Sequence, residues 1–210
     1  GAVFRQEEAF KVLILLVGFM GSGKSTLLQK LSHSLEAQEH SVQFSALGPW
    51  TIRDLDQEVL ESYGSEGENI GDFIRRIGIE AFREYESEKL HKLLMAQAEK
   101  GAPNGLVALG GGALGDRKEA RNFQLLEQFR ETESLPVYTI WLATPFEVCW
   151  ERIQKGRERP LVDLGEEELR QLYRDREPVY RRSDVVLNMD QQENIKSLED
   201  LVLLLERPKN

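Results

Sequence analysis

Apolar positions along the chain follow two periods. Val12 to Val17 is apolar at every residue, the pattern of a parallel strand covered on both faces, and the run stops at Gly18. Downstream, Leu27, Leu31 and Leu35 recur every four residues, with Gln29, Lys30, Ser32 and Ser34 on other faces, which predicts an amphipathic helix. Residues 36–50 follow neither period; their polar start and "LGPW" read as an insertion, within which "SVQF" is a candidate short strand. "TIRDLD" predicts a strand end, and Val59, Leu60 and Tyr63 a short helix beyond it. Ile70, Phe73, Ile74 and Ile77 fall at i, i+3, i+4 and i+7 of another helix, and Leu90, Leu93 and Leu94 extend an apolar helical face. Gly101, Pro103, Asn104 and Gly105 read as a break. "LVALGGG" then reads as a buried strand running into three glycines, "VYTIWL" as a strand stopped by Thr144 and Pro145, and Phe146, Cys149 and Ile153 as one helix face. "GRERPLVDLGEEE" is charged and broken by Gly and Pro, predicting an exposed, mobile segment. "DVVLNM" supplies a last strand, and Asn194 to Leu205 a last helix.

Strands alternating with helices predict a three-layer α/β/α domain with a parallel sheet, whose ligands gather at the carboxyl ends of the strands. With 210 residues and no repeat or low-complexity linker, a single domain over 1–210 is expected. The net charge of −9 argues against a nucleic-acid or anionic-membrane surface. Val12 to Val17 is too short to span a bilayer and the start of the chain lacks a signal-peptide layout, so a cytoplasmic protein is expected. The lone cysteine, Cys149, sits on an apolar helical face and reads as a packing thiol.

Gly18, Gly23, Lys24 and Ser25 satisfy G-x-x-x-x-G-K-[ST], with a strand before and a helix after. Such a loop curls backbone N–H groups around phosphate at a helix N-terminus. Lys24 is positioned to reach the β- and γ-phosphates and the Ser25 hydroxyl to complete a magnesium shell, so a nucleoside triphosphate is the expected ligand. A dinucleotide is disfavoured because Thr26 stands where G-x-G-x-x-G needs its third small residue.

The loop alone does not choose among motors, switches and small-molecule kinases. The chain has no N-K-x-D guanine reader, and its third strand ends in Gly110, Gly111 and Gly112 instead of an acid; this suits either close approach of a second ligand or a plain flexible turn. Asp54 and Asp56 are alternate residues of a segment read as extended, so their carboxylates face opposite sides: one could hold magnesium through water and the other accept a hydroxyl proton, unless they simply cap a helix. Arg83 and Glu86 are three apart on a predicted helix, either a braced guanidinium or a solvated surface pair. Together with Arg159 and Arg176 they could form a positive pocket for an anionic substrate.

In order along the chain, "GFMGSGKST", "DLDQEVLESYG", "FREYE", "LGGGAL", "RPL" and "REPVY" resemble the shikimate kinase family. The resemblance implies a P-loop, nucleoside monophosphate kinase-like fold: a central five-stranded parallel sheet, a substrate-binding helical region at about 57–95 and a lid at about 155–169. It implies transfer of phosphate from ATP to the 3-hydroxyl of shikimate, in aromatic amino-acid biosynthesis, by a monomer using Mg²⁺. ATP would be bound by Gly21, Ser22, Gly23, Lys24, Ser25, Thr26, Arg152 and Arg159. Shikimate would be bound by Asp56, Arg83, Gly111, Gly112 and Arg176, with Glu86 orienting Arg83. Asp56, Lys24 and Arg159 would carry the chemistry, and Ser25 with Asp54, through water, would hold the metal. Arg152 would pack on adenine, near a loop around Asp190 and Gln191. Two other readings stay open: a gluconate kinase-like enzyme sharing loop and lid, and a catalytically silent shikimate kinase-like binding protein.

Overall fold

Val12 to Val17 is almost wholly buried because both faces of its strand are covered. In the computed structural model, residues 11–38, 48–115, 120–132, 136–156 and 164–205 are described. Strand β1 (Leu13–Val17) lies between β3 (Asn104–Ala108) and β4 (Val137–Leu142), with β2 (Trp50–Asp54) and β5 (Val185–Leu187) outside them. The order is β2-β3-β1-β4-β5 and every pairing is parallel, the expected five-stranded α/β sheet.

The helices that cover it are α1 (Lys24–Gln38), α2 (Leu55–Tyr63), α3 (Ile70–Ile77), α4 (Ile79–Ala98), α5 (Arg121–Thr132), α6 (Phe146–Lys155), α7 (Glu166–Tyr180), α8 (Met189–Asn194) and α9 (Leu198–Leu205). The period of two along β1 sorts them into layers. Leu13, Leu15 and Val17 share one core with Leu90 and Leu94 of α4, Leu126 of α5, Cys149 of α6 and Tyr173 of α7. Val12, Ile14 and Leu16 face the other way, onto Leu27 and Leu31 of α1 and Leu198 and Leu201 of α9. A separate small core of Val59, Phe73 and Phe82 ties α2, α3 and α4 together. Cys149 is fully buried, as a packing thiol should be, and burial pushes its pKa up to about 11.

The chain leaves β1 for α1 on one face and β3 for α5 on the other. Between two neighbouring strands whose connections diverge, a crevice must open at the carboxyl edge.

The structure departs from the sequence expectations at several elements. Asn104 and Gly105 begin β3 instead of breaking the chain. The buried Asn104 Oδ1 accepts the Val12 N–H at 2.7 Å, and a Cβ at Gly105 would lie 2.9 Å from Leu13 Cδ1, so both residues serve the sheet. Helix α5 was not anticipated. The last helix, expected over Asn194 to Leu205, begins at Leu198 as α9, and a further helix, α8, was not anticipated before it. Glu166 to Glu168, read as part of an exposed segment, are exposed but form the first turn of α7, where their charge complements the helix dipole. "SVQF" and "RPL" lie outside the described residues. Among the described residues no helix is long and apolar enough to cross a membrane.

Candidate active site

A cavity of about 830 Å³ occupies the crevice, running from the glycine loop and α1 past Asp54 and Asp56 to Gly110 and Gly111. At its phosphate end, Gly21 (φ 74°) and Gly23 (φ 106°) hold left-handed conformations that let the loop double back, and the Ser22 N–H bonds Phe19 O at 3.0 Å. Lys24 folds over the loop, donating to the carbonyls of Gly18 and, at 3.2 Å, Phe19. Burial lowers its pKa to about 8, against the opposing pull of Asp56 and Asp54. Ser25 and Thr26 face the cavity, and Arg152 on α6 donates to Gly21 O at 3.0 Å.

The loop is held from outside by groups that the sequence reading did not single out. The buried Thr144 hydroxyl, just beyond β4, donates to Ser22 O at 2.7 Å. Because a planar trans peptide points its C=O and N–H in opposite directions, this bond turns the Gly23 N–H away from Thr144. Gln192 of α8 donates to Thr144 Oγ1 at 3.3 Å and to Leu187 O at 3.0 Å, linking the ends of β4 and β5. Met189, Gln192 and Glu193 line the cavity. Asp190 and Gln191 are not among its lining residues; Gln191 instead closes a capping box with Asn188, each backbone N–H bonded to the other's side chain at 2.9 Å.

Asp54 and Asp56 do not sit on alternate positions of a strand. Asp54 ends β2 and caps α2, accepting the Gln57 N–H at 3.2 Å, while Leu55 and Asp56 are already helical. Both aspartates nonetheless line the cavity, because Leu55 between them is drawn into the core. Asp56 reaches the end of β3 only because Gly110 has no side chain: a Cβ there would lie 2.5 Å from Asp56 Oδ1. That oxygen is buried without a hydrogen-bond partner among the described residues. Burial raises the pKa of Asp56 to about 7, reinforced by Glu86 and Asp54 and opposed by Lys24 and Arg83. The helix start is anchored by Arg53, whose guanidinium forks onto Glu58 at 2.5 and 3.0 Å.

The acceptor end is built of guanidinium groups. Arg83 Nη1 contacts both Glu86 oxygens at 2.9 Å, and Glu86 is fully buried, which excludes the solvated-pair alternative. Burial pushes the Glu86 pKa up while Arg83 pulls it down. Arg176 of α7 is 4% exposed and lies over the Phe19 ring, its Cζ 5.7 Å from the centroid. The two arginines converge on Gly112, where an added Cβ would collide with Arg83 Nη2 and lie 2.6 Å from Arg176 Nη2. The three glycines form a turn whose missing side chains leave room for Asp56 at Gly110, Arg176 at Gly111 and both arginines at Gly112. Gly21 to Thr26, Asp54, Asp56, Gly111 and Arg152 line the cavity; Arg83, Glu86, Arg176 and Gly112 cluster beside Gly111 without lining it, Asp190 and Gln191 stand off it, and Arg159 lies outside the described residues.

In chemical terms, one crevice joins a phosphate cradle and a carboxylate near neutrality, and a pair of arginines suited to a planar anion stands at Gly112, next to its end at Gly111, without lining it. Among the described residues no cluster of three or more His, Cys, Asp or Glu side chains gathers to hold a metal; Ser25 and Asp54 are among the oxygen-bearing residues that line the cavity, with Thr26 and Asp56.

The chain matches the family model described as shikimate kinase over residues 20–206. It is 34% identical to the shikimate kinase of Aquifex aeolicus over 172 residues, covering 82% of this chain and 83% of that protein. It is 30% identical to the shikimate kinase of Persephonella marina, covering 84% and 88%. The solved shikimate kinase of Aquifex aeolicus superposes with a TM-score of 0.62 at 30% identity, covering 93% of this chain and 96% of that one. The shikimate kinase of Acinetobacter baumannii, solved in complex with shikimate, gives a TM-score of 0.67 at 23% identity over 95% and 97%, a likeness of fold.

Proposed function

We propose a residue-level account of catalysis from the premise that this chain belongs to the shikimate kinase family. It is an ATP-dependent shikimate kinase of aromatic amino-acid biosynthesis, giving shikimate 3-phosphate and ADP. The catalytic roles rest on the convergence of Arg83 and Arg176 on Gly112, beside the glycine turn that adjoins the loop closed by Lys24.

The phosphates of ATP lie in the loop formed by Gly21, Ser22, Gly23 and Lys24, with Thr26 beside them and Arg152 against the adenine. Arg83 and Arg176 bind the shikimate carboxylate, a planar anion matched by two guanidinium forks. Gly111 and Gly112 let the ring approach, and Glu86 holds Arg83 in its rotamer. Asp56 then accepts the proton of the 3-hydroxyl. The 3-hydroxyl oxygen attacks the γ-phosphorus as the bond to the bridging oxygen breaks, and that electron pair leaves on ADP. A carboxyl poised near pH 7 is suited to this transfer, being ionised enough to accept the proton and basic enough to keep it. Lys24 moves from the loop carbonyls to the phosphoryl oxygens, where charge builds up. Arg159 joins it by resemblance alone, from a lid at about 155–169 that limits water access.

The family uses ATP with a divalent metal; here Mg²⁺ would be held by Ser25 and, through water, by Asp54. When bound, it neutralises phosphate charge. The exposed Ser25 hydroxyl and the Asp54 carboxylate fit such a site, since both line the cavity and offer oxygen to a hard cation or its water. The chain acts as a single domain over 1–210, a cytoplasmic monomer in which residues 57–95 help to hold the acceptor.

The test is ADP release with Mg²⁺ and ATP in the presence of shikimate, gluconate or no acceptor, with the product weighed by mass spectrometry. Shikimate-dependent ADP and a product heavier by one phosphoryl group are expected. Turnover with gluconate alone would remove the arginine assignment, and no acceptor-dependent turnover would favour a silent binding protein.

A further inference from the structure

Gly110 to Ala113 form a turn closed by the Ala113 N–H on Gly110 O at 3.0 Å, and its two central residues are Gly111 and Gly112. With glycine at both central positions, the peptide between them can rotate by half a turn at little steric cost, which is the difference between type I and type II turns. In this structure neither glycine has a positive φ, and the peptide is held in one orientation by a side chain from another element. The buried Tyr180, at the end of α7, donates its hydroxyl to Gly111 O at 2.5 Å. It lies four residues after Arg176, one helical turn along the same face, so one helix supplies both a guanidinium of the clamp and the lock on the turn beneath it.

We propose that Tyr180 is a positioning residue for the acceptor: its hydroxyl locks the Gly111–Gly112 peptide with the carbonyl turned toward α7. This inference rests on the assignment of Arg83 and Arg176 to the shikimate carboxylate. The physical consequence is electrostatic. A carbonyl oxygen released from Tyr180 could rotate toward the anion that the two arginines attract, and a partial negative charge there opposes binding. With the carbonyl bound to Tyr180, the opposite edge of the same planar peptide, the Gly112 N–H, faces away from α7, and that N–H has no hydrogen-bond partner among the described residues. The loop at the other end is treated in the same way by Thr144, whose hydroxyl holds Ser22 O.

Tyr180→Phe removes only the hydroxyl and keeps the ring packed against Trp141, 5.7 Å between centroids. The KM for shikimate should rise about tenfold, with kcat and the KM for ATP each within about twofold of wild type, as expected for loss of one hydrogen bond at an anion site. The carboxamide of shikimate serves as the control acceptor: with no anionic charge to repel, its KM should change less than about threefold in the same variant. An unchanged shikimate KM in folded Tyr180→Phe, or equal losses for acid and amide, would overturn the proposal. Arg83→Ala separates the two levels of inference. If it leaves the shikimate KM unchanged, the clamp assignment itself has failed; if it raises that KM while Tyr180→Phe does not, only the lock has failed.

Discussion

At the β1 end of the crevice, negative charge is met by backbone, since Gly21 and Gly23 curl the loop at the start of α1 while Thr144 and Arg152 grip its carbonyls from outside. At the β3 end it is met by the side chains of Arg83 and Arg176, and the three glycines contribute room more than donors. The two designs differ in what they can discriminate. Peptide N–H groups at a helix N-terminus suit any phosphate, whatever molecule carries it, whereas two guanidinium forks at a fixed spacing select a planar carboxylate. The reactive groups lie between, where Lys24 and Asp56 are both displaced toward neutrality by burial.

The largest expected effects come from breaking the middle. Asp56→Asn should lower kcat by about a hundredfold or more while both ligands still bind in calorimetric titration, and wild-type turnover in the folded variant would remove Asp56 from the proton transfer. Lys24→Met should lower kcat to a similar degree.

Next come changes that affect one end and spare the other. Arg176→Ala should raise the KM for shikimate about a hundredfold and leave ATP affinity within about threefold, since a charge-assisted bidentate contact is lost at one ligand only. Gly112→Ala should do the same with all charges intact, by pushing the guanidinium groups apart. Comparable losses for ATP in either variant would mean that the ends are not separate. Thr144→Val, conversely, should raise the KM for ATP about threefold to tenfold without changing that for shikimate, having removed one buried hydrogen bond from the loop.

The smallest effect is on stability. Asp56 titrates near 7 in the folded protein and near the ordinary carboxylate value when unfolded, so between about pH 4 and pH 7 the folded state binds the extra proton and the unfolding free energy falls as pH rises. Glu86, also held up by burial, adds to the decline. Denaturant titrations across this range should show a shallower fall in Asp56→Asn, and identical slopes would contradict a raised Asp56 pKa.

The phosphate end was legible in the sequence because a loop built from backbone needs a fixed run of glycines, and "GFMGSGKST" can hardly be anything else after an apolar strand. The acceptor end was legible only through resemblance: Arg83, Glu86 and Arg176 lie on two helices far apart in the chain, and neither spacing nor charge shows that they meet at Gly112. Asp54 and Asp56 were read as extended because the strand pattern was carried through "TIRDLD", when Asp54 is itself a good N-cap residue and starts the helix there. Helix α5 left a weak trace in Phe123, Leu126 and Phe129, which fall three apart among polar residues. Helix α8 had a usable signal in Asn188 and Gln191, the spacing of a capping box. Thr144 and Tyr180 could not have been picked out, because each acts through a carbonyl of a distant loop, nor could Gln192, which acts through the Thr144 hydroxyl, and no side-chain pattern records such bonds.

The contrast between the two ends is tested most directly by comparing shikimate with its carboxamide as acceptors for the wild-type enzyme at saturating ATP and Mg²⁺. The amide keeps the ring, the 3-hydroxyl and the planar head group but removes the charge that Arg83 and Arg176 are built to receive. The prediction is a loss in kcat/KM of about a hundredfold or more, with the KM for ATP unchanged. Equal kcat/KM values for acid and amide would contradict the assignment of the arginine pair to the carboxylate, and with it the division of the crevice into a backbone end and a side-chain end.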